Sequence, residues 1–302
     1  MTARIIISLD VELRWGMQDR LGDDFATYRA NLEGERDAIP AMLELFGELD
    51  IRATWAFVGG IACESWDEYR SRAPAWPRYR DRRLAWNPAV YAKDPAGTLY
   101  FAPTLIERIR TTAGQELGSH TFSHVCMGEP GFVRSDAIAD AAAMTALFQD
   151  RWGARATSFV FPRNQIAFPE VLADAGISVW RGNPTPFYWN ANAATSRSPL
   201  RRALRLADAL APFGTRHYRR GEPDRASHFV RFALPEPLWR AHVRRLLADA
   251  KRLGGEHVLH LWWHPHNLGI DLSRRITRMR ELLEALREHA PEGTRFSAMG
   301  DE

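Results

Sequence analysis

His120 and His124 bracket Thr121-Phe122-Ser123, an H-x-x-x-H spacing that on a single turn puts two imidazoles on one face, where both can grip one divalent metal ion. Position 121 is threonine, not glutamate, so the general base of a zincin-type helix does not come from within the motif. A third ligand has to come from elsewhere. Asp10-Val11-Glu12 offers one: two carboxylates separated by one residue point the same way if a strand runs through them, and diverge if it breaks. One could then bind the metal while the other takes a proton from water. Taken singly, the histidine pair reads as solvated or capping residues and the acidic pair as a surface strand end. Together they suggest a site of two histidines and one carboxylate with open positions.

Other polar groups fall at similar places: Arg163 and Asn164, Trp180 and Arg181, His264 and His266. Each follows a short apolar run. The runs at 4–9, 51–58, 116–119, 156–161, 177–180, 258–263 and 294–298 predict strands, and most are followed by amphipathic stretches. Helices are expected at 31–49, 104–112, 135–152, 169–175, 237–253 and 272–289, with another at 200–210. About seven strand-helix units predict an α/β fold, a distorted (β/α)7 barrel in which all these groups sit at strand C-terminal ends, the catalytic face of such barrels. A doubly wound open sheet is the alternative, because periodicity does not decide closure. The segments at about 60–103 and 182–235 lose periodicity and read as long irregular insertions in a single domain spanning 1–302.

Composition narrows the function classes. With 302 residues, 45% hydrophobic and 25% charged, the chain can bury a full core. Only two of its 40 basic residues are lysine, net charge is +3, and acidic residues interleave with the arginines, so no basic stripe suggests a nucleic-acid partner. Two cysteines, Cys63 and Cys126, cannot make a disulfide framework. The apolar stretch near the start is short for a signal core, and no run approaches the ~18 residues of a membrane span, so a cytoplasmic protein with no membrane span is expected. Oligomeric state is not legible.

In order along the chain, these residues resemble the polysaccharide deacetylases of the NodB homology group, carbohydrate esterase family 4. Ser8-Leu9-Asp10-Val11-Glu12 takes the place of the family's T-F-D-D-G motif, and His120-Thr121-Phe122-Ser123-His124 matches H-[ST]-x-x-H. Leu259 to His264 resembles the apolar strand ending in L-x-H. Phe161-Pro162-Arg163-Asn164-Gln165 stands where R-x-P-[YF] is expected, with Pro and Arg inverted, and Trp180-Arg181 is the only trace of the acidic-aromatic fourth motif.

The resemblance implies a NodB-type barrel and a divalent metal on Glu12, His120 and His124, zinc before Co2+, Ni2+ or Fe2+. It implies Asp10 as general base, Arg163 beside it keeping it ionised, and His264 as general acid, with His266 a rival. The reaction would be removal of an N-acetyl group from an amino sugar, with release of acetate. Trp180, Arg181, Trp262 and His266 are the candidate substrate contacts. A nucleotide-linked or lipid-linked precursor, for O-antigen or another surface polysaccharide, is the expected substrate. Two other readings keep the fold: a hydrolase of linear or cyclic non-sugar amides, and a catalytically silent glycan-binding protein.

Overall fold

The structure, a computed structural model, describes residues 2–17, 26, 28–86, 92, 94–189, 198–211, 218–219 and 228–301. Its centre is strand β1 (Arg4–Val11), buried along nearly its whole length, as a parallel strand covered on both faces must be. One edge of β1 pairs in parallel with β8 (His257–Trp263). The other is shared: β9 (Arg295–Ser297) takes Arg4 to Ile6 and β2 (Ala53–Phe57) takes Ser8 to Val11. The sheet continues through β3 (Gln115–Ser119), β4 (Ser158–Val160) and β5 (Val179–Arg181), all parallel. Two short strands, β6 (Tyr218–Arg219) and β7 (His228–Phe229), flank β8.

The order β5-β4-β3-β2-β1-β8 never reverses direction. A doubly wound sheet reverses at its switch point, so this sheet winds one way and curls into a half-barrel, the distorted (β/α)7 arrangement expected. Period-2 alternation then sorts side chains between its two faces. Leu9, Val11, Leu259, Leu261 and Trp263 pack outward against helix α1 (Arg29–Glu48) and the C-terminal helix (Leu272–His289) in the main core. Ile6, Ala56, Val160 and Val258 form a second, apolar cluster with Met299. On the same face of β1 and β8, toward the strand C-terminal ends, come Ser8, His260, Asp10 and Trp262.

The segment expected to be irregular from about 60 is partly ordered. Helix α2 (Trp66–Arg72) begins where the Ser65 hydroxyl accepts from the Glu68 amide at 3.2 Å, a capping signal that the surrounding aromatics obscure. Those aromatics pack inward: Trp66 lies against Trp15, Tyr69, Tyr100 and Phe101, so it is core rather than a sugar platform. Residues 87–91, 93, 190–197, 212–217 and 220–227 of the two expected insertions lie outside the described residues; the second also holds a helix, Pro199–Leu210. Cys63 and Cys126 are buried free thiols. Among the described residues no helix is long and apolar enough to cross a membrane.

Candidate active site

β1 continues to Val11, and this is what turns Asp10 and Glu12 to the same side. The chain leaves the strand direction immediately afterwards, at Leu13 (φ 46°). Gly16 makes room for the Glu12 carboxylate: a Cβ there would lie 1.9 Å from Glu12 Oε2. The end of β3 delivers His120, whose backbone amide donates to the Phe57 carbonyl at 3.0 Å. The histidine loop is not the helical turn its spacing suggested. Thr121 (φ 66°) and His124 (φ 55°) adopt left-handed backbone, and that bend brings the second imidazole beside the first.

His120 Nδ1 lies 2.8 Å from the Val160 carbonyl oxygen, which only accepts, so Nδ1 carries the hydrogen and Nε2 is turned toward Glu12 Oε1 at 3.0 Å. His124 Nε2 is 3.2 Å from the same oxygen. The three side chains are buried, and one donor atom from each lies within 4.8 Å of the others. Two imidazole nitrogens and a carboxylate oxygen converging this way, one ring fixed by a backbone carbonyl behind it, suit a single divalent cation. Burial alone would push Glu12 up, but His264, His124 and His120 outweigh it and hold its carboxyl well below the usual range. At His124 burial wins over the attraction of Glu12, and the imidazole is pushed down.

Asp10 faces a different partner from the one anticipated. Its two oxygens are gripped by Arg181, Nη1 to Oδ1 at 2.6 Å and Nη2 to Oδ2 at 2.7 Å. Arg163, expected in that role, lies half-buried in a left-handed turn (φ 56°), and its charge bears on His124 and Asp81. The inverted third motif thus loses its arginine to the loop, and a guanidinium from the end of β5 takes over. Arg181 is itself held by Ser8 Oγ at 3.1 Å, by Asn164 Oδ1 at 3.0 Å, and by the Trp262 ring 4.2 Å beneath its guanidinium. Ser8 Oγ in turn meets His260 Nε2 at 2.8 Å. Burial pushes Asp10 up, but Arg181 chiefly, then His264 and His120, hold it below its ordinary value.

His264 and His266 separate clearly. His264 Nε2 is 3.5 Å from Glu12 Oε1 and 3.7 Å from Asp10 Oδ2. Burial lowers its basicity, but the two carboxylates outweigh that, and its pKa is raised. His266 stacks behind it, rings 4.7 Å apart, and turns away toward helix α1, with Nδ1 3.8 Å from Glu35 Oε2. Glu35 is fully buried, and burial, then the charge of Glu12, push its carboxyl up to about 8.

Of the four candidate substrate contacts, Arg181 is committed to Asp10, Trp262 is buried under Arg181, His266 lies behind His264, and Trp180 packs half-buried against Phe161. Arg181, Trp262 and His266 surround the carboxylates, whereas Trp180 faces the other side of β5, in the cluster with Phe159 and Phe161. Sequence reasoning placed Asn164 at a strand end without a role and passed over Ser8 and Glu35, of which Ser8 carried a signal, its place two residues before Asp10 on the same strand face.

No protein-family model matches the chain, and no curated protein is similar to it in sequence. Solved structures do match its fold. A protein from Mycobacterium smegmatis, described by inference as a polysaccharide deacetylase, superposes with a TM-score of 0.55 at 14% identity, over 99% of this chain and 88% of that one. A carbohydrate esterase family 4 enzyme from Streptococcus mutans gives 0.50 at 12% identity, over 98% and 85%. A family 4 pseudoenzyme from Bacillus anthracis gives 0.50 at 10% identity over 99% of this chain, which spans only 64% of its length. The fold is therefore that of the carbohydrate esterase family 4 polysaccharide deacetylases.

Proposed function

We propose that the chain is a metal-dependent carbohydrate N-deacetylase of the family 4 kind, one NodB-type domain over 1–302, that hydrolyses the N-acetyl group of an amino sugar and releases acetate. The observation that carries this reading is the meeting of Asp10, Glu12, His120, His124 and His264 at the C-terminal ends of three strands of this fold. Glu12, His120 and His124 would hold the cation, zinc before Co2+, Ni2+ or Fe2+. When bound, it supplies a Lewis acid for the amide carbonyl and lowers the pKa of water.

The chain's own groups do the rest. Asp10 stays ionised because Arg181 is bonded to both its oxygens, and it accepts the proton of the attacking water. His264, whose basicity the two carboxylates raise, donates to the nitrogen as the C–N bond breaks. Water thus contributes hydroxide to the acyl carbon and a proton to the amine. The bidentate pair, with the Trp262 ring under the Arg181 guanidinium, keeps the base from turning, and His264 Nε2 lies 3.7 Å from its Oδ2. A silent binding protein would have no use for a base, an acid and a ligand set held in mutual register, and this favours the enzyme.

The test is acetate release from a panel of N-acetylated oligosaccharides, nucleotide-linked sugars and lipid-linked sugars, with cyclic and linear non-sugar amides alongside. Release from a sugar member is expected. Turnover of the non-sugar amides alone would replace the substrate class.

A further inference from the structure

We propose that Asp140, which touches none of the reacting groups, is the positioning residue that fixes the 120–124 loop and thereby sets the affinity of the two-histidine corner for a divalent cation. The inference rests on the metal reading above and deepens it.

Asp140 stands on the helix Arg134–Trp152, on the buried stripe with Ala137, Ala141, Met144 and Leu147. A lone acid on the apolar face of an alanine-rich helix is costly, since burial of an ionised carboxylate without a counter-charge is unfavourable. Among the described residues Asp140 has no ion-pair partner. Its recorded hydrogen bonds are two backbone amides, Phe122 N to Oδ1 at 2.8 Å and Ser123 N to Oδ2 at 3.3 Å. These are central amides of the loop between the two histidines.

That loop needs such support. Left-handed backbone at non-glycine residues costs on the order of 1 kcal/mol or more each and persists only where surroundings over-determine it. Here Thr121 and His124 both adopt it. From the side of β2, the Gly59 and Gly60 amides donate to the Thr121 and Phe122 carbonyls at 3.0 and 2.8 Å. Gly59 lies so close that a Cβ would sit 2.8 Å from both Phe122 and Met144. Tyr69 adds a third anchor, its hydroxyl 2.9 Å from Ser123 Oγ. The carbonyls are thus gripped from one side, and the central amides of Phe122 and Ser123 are held from the other by Asp140. Burial pushes its carboxyl up to about 7 against the pull of the two amides, a cost that general packing does not require.

The experiment measures zinc affinity by competition with a chelating dye, and the visible spectrum of the Co2+ form, for the parent, Asp140→Asn, Asp140→Ala and Tyr69→Phe. Thermal unfolding of each metal-free protein checks that it is folded. Asp140→Ala should weaken zinc binding by about 10- to 100-fold and alter the Co2+ spectrum, as loss of an outer-shell support does. Asp140→Asn, which keeps one acceptor in place, should fall between, and it carries the test if the alanine variant does not fold. Folded Asn and Ala variants with parental affinity and spectrum would overturn the proposal. His120→Ala separates the two levels of inference: unchanged zinc affinity there would place the cation elsewhere and overturn the metal reading as well.

Discussion

Glu12, His120 and His124 are delivered by two short stretches of chain, the end of one strand and the loop after another, whereas Asp10 is held by side chains from across the sheet. Arg181 comes from the end of β5, Asn164 from the turn after β4, and Trp262 from β8. Three of the strands that meet at the base are far apart in sequence. A ligand pair built within five residues announces itself by spacing, but a partner reached through the strand order does not. On the proposed reading the difference also separates the two corners: a ligand corner would need fixed lone pairs, while a base corner would need a carboxylate that stays charged in a buried place.

The sharpest way to break this division is Asp10→Asn. It should leave zinc binding intact and lower kcat by about 100- to 10,000-fold, the usual contribution of a general base. Loss of metal along with turnover, measured by metal analysis of the purified variant, would move Asp10 into the ligand corner. His264→Ala against His266→Ala comes next. A loss of similar size is expected only for His264, which alone approaches both carboxylates, and steady-state kinetics giving the reverse order would transfer the acid role. Because its neighbours raise the His264 pKa, activity should persist above the ordinary histidine range and fall only at more alkaline pH.

Arg181→Gln tests the base corner through stability. It leaves Asp10 buried and unpaired, which should cost about 3–5 kcal/mol in urea unfolding at neutral pH. The depressed carboxyl of Asp10 contributes stability above its unfolded value and loses it as pH falls through the folded one, so the deficit should shrink in acid. A deficit independent of pH would mean that Arg181 acts by packing alone. The same reasoning extends to Glu35→Gln in metal-stripped protein. Glu35 is raised to about 8, so its stabilising proton is fully bound below its unfolded value and lost as pH rises through 8. The variant should gain on the parent between mildly acid and alkaline pH, and parallel unfolding curves would contradict this.

Much of this was legible from residue order. The strands and the main helices follow from apolar periodicity, because buried parallel strands read as continuous apolar runs; the one-way winding does not, and it is read only from the strand order. Spacing at 120 and 124 and the pair at 10 and 12 suggested two histidines and one carboxylate, and the family resemblance chose Glu12 over Asp10 as the proposed ligand. Arg163 misled because motif position was taken for spatial position: the inverted Pro-Arg order turns its backbone left-handed, and Arg181 fills the place. Asp140 was invisible because a single acid within a confident helix looks like part of its solvated face until the helix is placed.

The most direct test of the central claim is a zinc titration of the metal-stripped protein, following acetate release from the best N-acetylated sugar for the parent and for His120→Ala. The rate should rise from near zero to a plateau at a single equivalent of zinc per chain in the parent and stay flat in the variant. A rate that ignores zinc, or a variant that reaches the parental plateau, would contradict a catalytic cation held by Glu12, His120 and His124.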